Sequence, residues 1–335
     1  MVPRIPPRPL LLRGSLHFSV SSVPSAVPRI PPRPLLLSGS LHFSVSSVPL
    51  WFPAFHAPIC VICGPDQVAS AASAPHDQDH PRSPYPAATF APAMAILIFF
   101  VAHWYLSLFV QTFYLHRYSA HRMFTMSPFW EKFFHFFTWL CQGSSYLNPA
   151  VYGMMHRAHH VYADTPEDPH SPKYDENPFK MMWKTAGWYN GLLYGEKKLD
   201  ERFTRDLPRW SFMEKLGESW ASRLAWGVLY ATFYYFFATA WWQWLFLPLQ
   251  FVMGPLHGMI INWYAHKYGY VSYPTTDTSK NMWPVEVIMM GEGLHNNHHT
   301  HAADANFAQK WWEFDPTYPV IRVLHALGII KLRTA

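Results

Sequence analysis

Residues 224–266 read LAWGVLYATFYYFFATAWWQWLFLPLQFVMGPLHGMIINWYAH, 43 positions without one Asp, Glu, Lys or Arg. A helix needs about 20 apolar residues to cross a hydrocarbon core, so this run is long enough for two crossings, with Pro248 as the hinge. A backbone in lipid must satisfy its own hydrogen bonds, so the run predicts a helical hairpin. Toward the N-terminus, Ser83 to Leu115 is also free of charge, and its apolar core, Met94 to Leu115, fits one further span. The segment 129–155 is apolar but interrupted by Glu131, Lys132, Gly143, Asn148 and Pro149. It suits an interfacial amphipathic helix better than a span.

The whole composition agrees with this reading. Half of the 335 residues are hydrophobic, 18% are aromatic and 14% are charged, whereas a soluble domain has a charged fraction near a quarter. The fold class expected is all-α: an integral membrane helical protein with three to four spans. The fourth requires part of the first 93 residues to cross as well. Of the 26 Lys and Arg, 20 follow Leu115 and none lies in the hairpin. Basic loops stay on the cytoplasmic side, which places the loops around the hairpin there and makes the net charge of +5 a topology signal. No basic patch interleaved with aromatics on a recognisable module suggests nucleic acid.

Those loops carry the chemistry. Three clusters, HRYSAH with His116 and His121, HRAHH with His156, His159 and His160, and HNNHH with His295, His298 and His299, each lie just outside an apolar run. Imidazole is the commonest protein ligand for transition metals. The spacing i, i+3, i+4 in the second and third clusters puts three rings on one helix face. His116 and His121 are five apart and do not share a face on a straight α-helix, so they suit the loosening end of a span. Asn262 and His266 close the hairpin one turn apart. A lone His there reads as a cap, but this one exits on the same side as the clusters. Nine imidazoles exceed the four ligands of a structural zinc and suggest two metals with four or five ligands each, held in a cytoplasmic helical cap. Each ligating ring needs an acceptor for its other N–H, and Asp164, Glu167, Asp168, Glu292 and Asp304 are near enough in sequence to serve. His170 is a further candidate beside the second cluster.

Other residues read more plainly. His103 and His257, inside spans, read as packing or interhelical hydrogen bonds. Lys197, Lys198, Arg202, Arg205 and Arg209 read as a solvated positive loop facing anionic lipid, with coenzyme A phosphates as the sharper alternative. Three cysteines, Cys60, Cys63 and Cys141, make no disulfide framework. Val2–Pro24 recurs as Val27–Pro49 with one change, Arg13 to Ser38, and 18 of 31 prolines precede Met94. Such a Pro-rich copy lacks any stacking period and reads as disordered. Residues 1–93 are therefore expected to be disordered or not part of the native protein, which would begin at or near Met94 and consist of the domain 94–335, with an organelle transit peptide as the alternative.

The order HRYSAH, HRAHH followed by DTPEDPH at 164–170, NWYAH, then GEGLHNNHH resembles the membrane fatty acid desaturases, and within them the acyl-CoA Δ9, stearoyl-CoA desaturase type. The similarity runs from Met94 to Arg333 and includes Trp311 to Asp315. It implies a di-iron centre, two Fe ions cycling between Fe2+ and Fe3+, with O2 as co-substrate. The nine histidines would bind the irons, with Asn262 reaching one through a water, and Asp164, Asp168, His170 and Glu292 would stand behind them. The implied reaction places a cis double bond, at carbon 9, in a saturated fatty acyl-CoA. Zinc lacks the redox chemistry for that step. No cytochrome-like haem segment stands in the sequence, so a separate electron donor of ferredoxin or cytochrome b5 type, with its reductase, is expected. Two rivals remain: a membrane di-iron hydroxylase of fatty acids or alkanes, and a non-catalytic membrane metal-binding or transport protein. The sequence departs from the family in showing one span before the first cluster where two are usual, and an Asn at 297 where many relatives have an aromatic.

Overall fold

The computed structural model describes residues 90–333, with side chains from Met94; the duplicated segment and Cys60 and Cys63 lie outside the described residues. The architecture is mostly helical. α1 covers Phe90–Val110 and continues as wider, π-type turns over Gln111–Ala120. α2 (Pro128–Gln142), α3 (Pro149–Tyr162), α4 (Pro178–Leu193), α5 (Ser211–Glu218) and α6 (Trp220–Phe237) follow. Then come α7 (Leu247–Phe251), α8 (Met253–Tyr264), the short α9 (Val285–Ile288) and α10 (His295–Thr300), and α11 (Thr317–Ala326).

Several boundaries are written as a polar cap followed by proline. Ser127-Pro128, Asn148-Pro149 and Asn177-Pro178 open α2, α3 and α4, and the Asn148 Oδ1 accepts from the backbone N–H of Ala150 and Val151 at 3.0 and 3.2 Å. Proline at the first helical position gives up a donor that would be orphaned anyway. The same rule moves the hinge expected at Pro248. That residue sits in the first turn of α7 and starts it, while the chain turns at 238–240 and breaks again at Val252.

Among the described residues, Met94–Ala120 alone is an unbroken run long and apolar enough to cross a membrane. The second arm of the hairpin passes only as a bent pair, Trp241–Phe251 and Met253–Tyr264, at 77°. The first arm, α6, is short of that apolarity, with Arg223 in its first turn and Trp and Tyr along its length. Its outward face is nonetheless apolar, with Leu224, Val228, Leu229, Tyr235 and Phe236 exposed. The segment 129–155, expected as one interfacial amphipathic helix, is divided: amphipathic α2 ends at Gln142 and α3 begins at Pro149. Phe129, Phe133, Phe136 and Leu140 form an exposed stripe, and Phe134, His135, Thr138 and Cys141 face inward.

One feature departs from all-α. β1 (Phe124–Met126) pairs antiparallel with β2 (Ile330–Leu332), Phe124 opposite Leu332. This clips the C-terminal segment beside the exit of α1, against a core of Phe113, Phe124, Phe134, Phe307, Ile321 and Ile330.

Candidate metal centre

The wide turns at the end of α1 are what bring His116 and His121 together. The His121 N–H donates to the His116 carbonyl at 3.2 Å, an i→i+5 bond, and such a turn stacks residues five apart where an α-helix would separate them. The two rings lie 5.1 Å apart.

α3 and α10 each split their three rings between two sites, in opposite senses. On α3, His156 and His160, four apart, join His116, His121 and His298 in one group. His159 turns aside to join His266, His295 and His299 in the other. On α10 the pair four apart, His295 and His299, belongs to the second group and His298 to the first. Within each group one ring nitrogen per residue lies within 4.8 Å of all the others. The groups adjoin, with the His160 and His299 rings 4.4 Å apart.

The donor atoms fit a metal better than they fit each other. The Nε2 atoms of His116 and His298 are 2.9 Å apart, His156 and His160 3.0 Å, His298 and His160 3.0 Å, and His266 and His295 3.1 Å. Ligands at right angles on a metal with bonds of about 2.1 Å stand about 3.0 Å apart. The Nε2 atoms of His121, His159 and His299 are buried and have no hydrogen-bond partner among the described residues. A buried unmet donor or acceptor needs an explanation, and one ion per group supplies it for all three.

On four of the rings the opposite nitrogen is held by an acceptor, while Nδ1 of His295 and His298 has no hydrogen-bond partner among the described residues. Glu292 lies 2.7 Å from His116 Nδ1, Asp168 3.0 Å from His159 Nδ1, and Asp277 2.9 Å from His299 Nδ1. His266 Nδ1 lies 3.3 Å from Thr278 Oγ1 and 3.6 Å from Asp164. These contacts fix the tautomer with the lone pair on Nε2. Burial, reinforced by the neighbouring rings, holds His121, His156, His160, His295 and His298 well below the ordinary imidazole range. They stay neutral, as ligands must. Burial brings His299 down to about 4 against the pull of Asp277. At His159 burial works the same way, but the Asp168 carboxylate outweighs it and raises the ring. Burial opposes ionisation of Asp164, Asp168 and Asp277 too, yet their partners, chiefly His266, His159 and His299, hold all three below the usual carboxylate range.

Of the supporting residues expected from sequence, Asp164, Asp168 and Glu292 lie behind the rings. Glu167 is exposed, and Asp304 bonds the Gln309 side chain at 3.3 Å and none of these rings. His170 packs 4.2 Å from the His159 ring with both its nitrogens unpartnered among the described residues. Asn262 lines a cleft with His156 and His295, rather than bonding either ring. The sequence reading missed Asp277, which stands in a turn with no motif around it. It also missed a brace under His116. Arg117, fully buried, reaches Glu292 at 3.4 Å and Asp315 at 2.6 Å, bonds Thr112, and stacks 3.7 Å over Phe307.

The cleft, about 340 Å³ counting its open mouth, lies between α1, α3 and α8, walled by Leu108, Tyr152 and Ile261 as well as by polar groups. His156, Glu292 and His295 are among its lining residues.

Residues 86–326 match the family model described as fatty acid desaturase. The sn-1 stearoyl-lipid 9-desaturase of Anabaena variabilis is 32% identical over 236 residues, 64% of this chain and 74% of its own length. The enzyme of the same name from Synechocystis sp. is 31% identical over 222 residues, 64% of each chain. An acyl-CoA 5-desaturase of Anemone leveillei is 28% identical over 219 residues, again 64% of each.

Proposed function

The chain belongs to the fatty acid desaturase family, and from that premise we propose that it is an O2-dependent oxidoreductase placing a cis double bond at carbon 9 of a saturated fatty acyl chain. The observation that supports this most is the pair of adjoining histidine groups, five and four rings, each with ring nitrogens within 4.8 Å of one another.

In this reading His116, His121, His156, His160 and His298 hold one iron and His159, His266, His295 and His299 the other. When bound, the metal pair supplies activation of O2 and the oxidising strength to take hydrogen from an unactivated methylene. The protein does the rest. Glu292, Asp168, Asp277 and Thr278 keep a proton on Nδ1 of His116, His159, His299 and His266 and the lone pair on their Nε2. The apolar walls of the cleft, Leu108 and Ile261, guide methylenes toward His156 and His295, and Asn262 holds a water there.

The carrier of the acyl chain is the finer point. Two of the relatives are named for lipid-linked stearoyl groups and one for acyl-CoA. The basic stretch that coenzyme A would meet, Lys197, Lys198, Arg202, Arg205 and Arg209, is exposed, and its pairs Arg205–Glu201 and Arg209–Glu214 are weak surface contacts. On the names of the relatives we favour an acyl-lipid substrate, with acyl-CoA as the second reading. The spans carry the protein in the bilayer with the metal groups on the cytoplasmic face, where a ferredoxin or cytochrome b5 type donor and its reductase reach them.

The test is expression of the whole chain, and of the chain from Met94, in a host lacking its own desaturase, followed by mapping of new double bonds in each lipid class and in the acyl-CoA pool. New 9-alkenes from both versions support the reading and assign the domain to 94–335. Hydroxylated chains without alkenes would overturn it in favour of oxygen insertion. Metal uptake with neither product would leave a binding or transport protein.

A further inference from the structure

The chain leaves α8 at Tyr264, and the residues beyond it gather aromatic rings and lysines on one outward face. Tyr264 and Tyr268 are exposed, with rings 6.0 Å apart, and Lys267 Nζ lies 3.6 Å over the Trp263 ring. The Lys280 ammonium donates to the Lys267 carbonyl at 2.7 Å, which brings the two lysines together. One residue on, Asn281 bridges to Tyr270 through the backbone. The Tyr270 ring packs 5.3 Å from Trp312, Trp312 lies 6.4 Å from Trp283, and Lys310 Nζ sits 5.5 and 5.6 Å from the Tyr270 and Trp312 rings. Trp311, next in the chain to Trp312, is 96% exposed, the most open large apolar side chain among the described residues.

The charge of this face has one sign. Residues 264–290 and 308–314 contain three carboxylates, Asp277, Glu286 and Glu313, and none is turned to the lysines. Asp277 is held by His299, and Glu286 is fully buried. Glu313, also buried, accepts from the Tyr270 hydroxyl, the Asn297 amide and the backbone N–H of Gln309 and Lys310. The one ion pair made by a lysine among the described residues is Lys180–Glu176. Lys267, Lys280 and Lys310 are partly exposed and have only aromatic faces and a carbonyl for partners, so their charge is uncompensated.

Neither plain surrounding suits such a face. Water is a poor neighbour for this many open rings, and contiguous exposed apolar surface marks an interaction site. Hydrocarbon is a poor neighbour for three ammonium groups. The headgroup layer suits both, since amphipathic rings settle there and lysine stems lie along apolar surface with the charge toward phosphate. Position agrees with chemistry. Lys267 follows the last residue of α8 by three, so the face begins within about 10 Å of the point where that arm leaves the bilayer. We propose that this face is seated on the bilayer surface where α8 emerges and binds the phosphates of anionic lipid headgroups. The seat uses neither the metal groups nor the cleft, so it stands apart from the desaturase reading and rests on α8 leaving the bilayer at Tyr264.

The test puts a photoreactive ring in place of the most open one, Trp311→p-benzoylphenylalanine, in the full metal-loaded chain. Val228→p-benzoylphenylalanine, on the outward face of α6, serves as the marker of bilayer contact. After irradiation in whole cell membranes, the peptide carrying residue 311 should gain the mass of a phospholipid. A protein adduct at 311, or no adduct there while 228 labels lipid, would overturn the proposal. If neither position labels lipid, the span reading falls and the seat with it. In nanodiscs of mixed phosphatidylcholine and phosphatidylglycerol, phosphatidylglycerol adducts at 311 should exceed their mole fraction by about threefold or more, and Lys267→Gln, Lys280→Gln and Lys310→Gln together should return them to it. Adducts at the bare mole fraction with the lysines intact, or an excess that survives their removal, would overturn headgroup recognition by this face.

Discussion

Glu292→Gln isolates what a buried carboxylate contributes to the first metal group. In the wild type Glu292 sits 2.7 Å from His116 Nδ1, accepts from Thr112 and stands 3.4 Å from Arg117, itself held by Asp315 at 2.6 Å. Glutamine keeps the shape and one acceptor but loses the charge. A hydrogen bond to a charged group contributes about 1.5–3 kcal/mol, roughly twice a neutral one, so the bond orienting His116 weakens by about 1–2 kcal/mol. Arg117 keeps its closer partner, and weakening the longer, buried contact costs about 1.5–3 kcal/mol in folding stability. The first quantity appears in metal affinity as a loss of about 5–30-fold, near the range for residues that orient a ligand. The assay is competition for Fe2+ or Co2+ between apo-protein and a chromophoric chelator, read as two binding steps. The five-histidine site should weaken while the four-histidine site holds, and Asp277→Asn should do the reverse. If Glu292→Gln leaves both steps within about threefold of wild type while the protein stays folded, the orienting role of this carboxylate is refuted.

Further outcomes follow from the same contacts. Gly291 has φ 93°, and a Cβ there would strike the Asp315 carboxylate that holds Arg117; Gly291→Ala should cost about 2–4 kcal/mol, read as a lowered denaturation midpoint. Glu286 is fully buried, and burial, with Glu313 adding to it, raises its carboxyl to about 7. The folded state therefore holds a proton that the unfolded chain releases above about pH 4.5. Stability from this group is present at low pH and falls as pH rises toward 7, by on the order of 2 kcal/mol; Glu286→Gln should flatten the thermal midpoint between pH 5 and 8, and a variant with the wild-type slope would refute the assignment. Stripping metal with a chelator should lower the thermal midpoint and abolish product, with Fe2+ restoring both and Zn2+ restoring only the midpoint.

The histidine arrangement was legible because helix geometry turns spacing into direction. At i, i+3, i+4 three rings share a face, and only their division between two groups needed coordinates. The expectation that His116 and His121 sit where a helix loosens follows from their spacing, but the i→i+5 turns have no residue signature. Asp164, Asp168 and Glu292 were reachable because they follow or precede a cluster closely. Asp277 was not, since long-range contact alone brings it to His299. Counting charge-free residues located the hairpin, yet it could not show the 77° break, which depends on how α7 and α8 pack. Pro248 misled because proline stops a helix only from its interior and starts one from its first turn.

The wide turns over Gln111–Ala120 change the meaning of length in this stretch. In a surface loop one residue more or less is absorbed. Here, deleting any single residue between His116 and His121 would leave four steps, let the backbone relax to ordinary α pitch, and swing every side chain downstream by about 100°. Apart from His116, Arg117 and Thr112, the side chains of this decapeptide could be exchanged, but its length could not change.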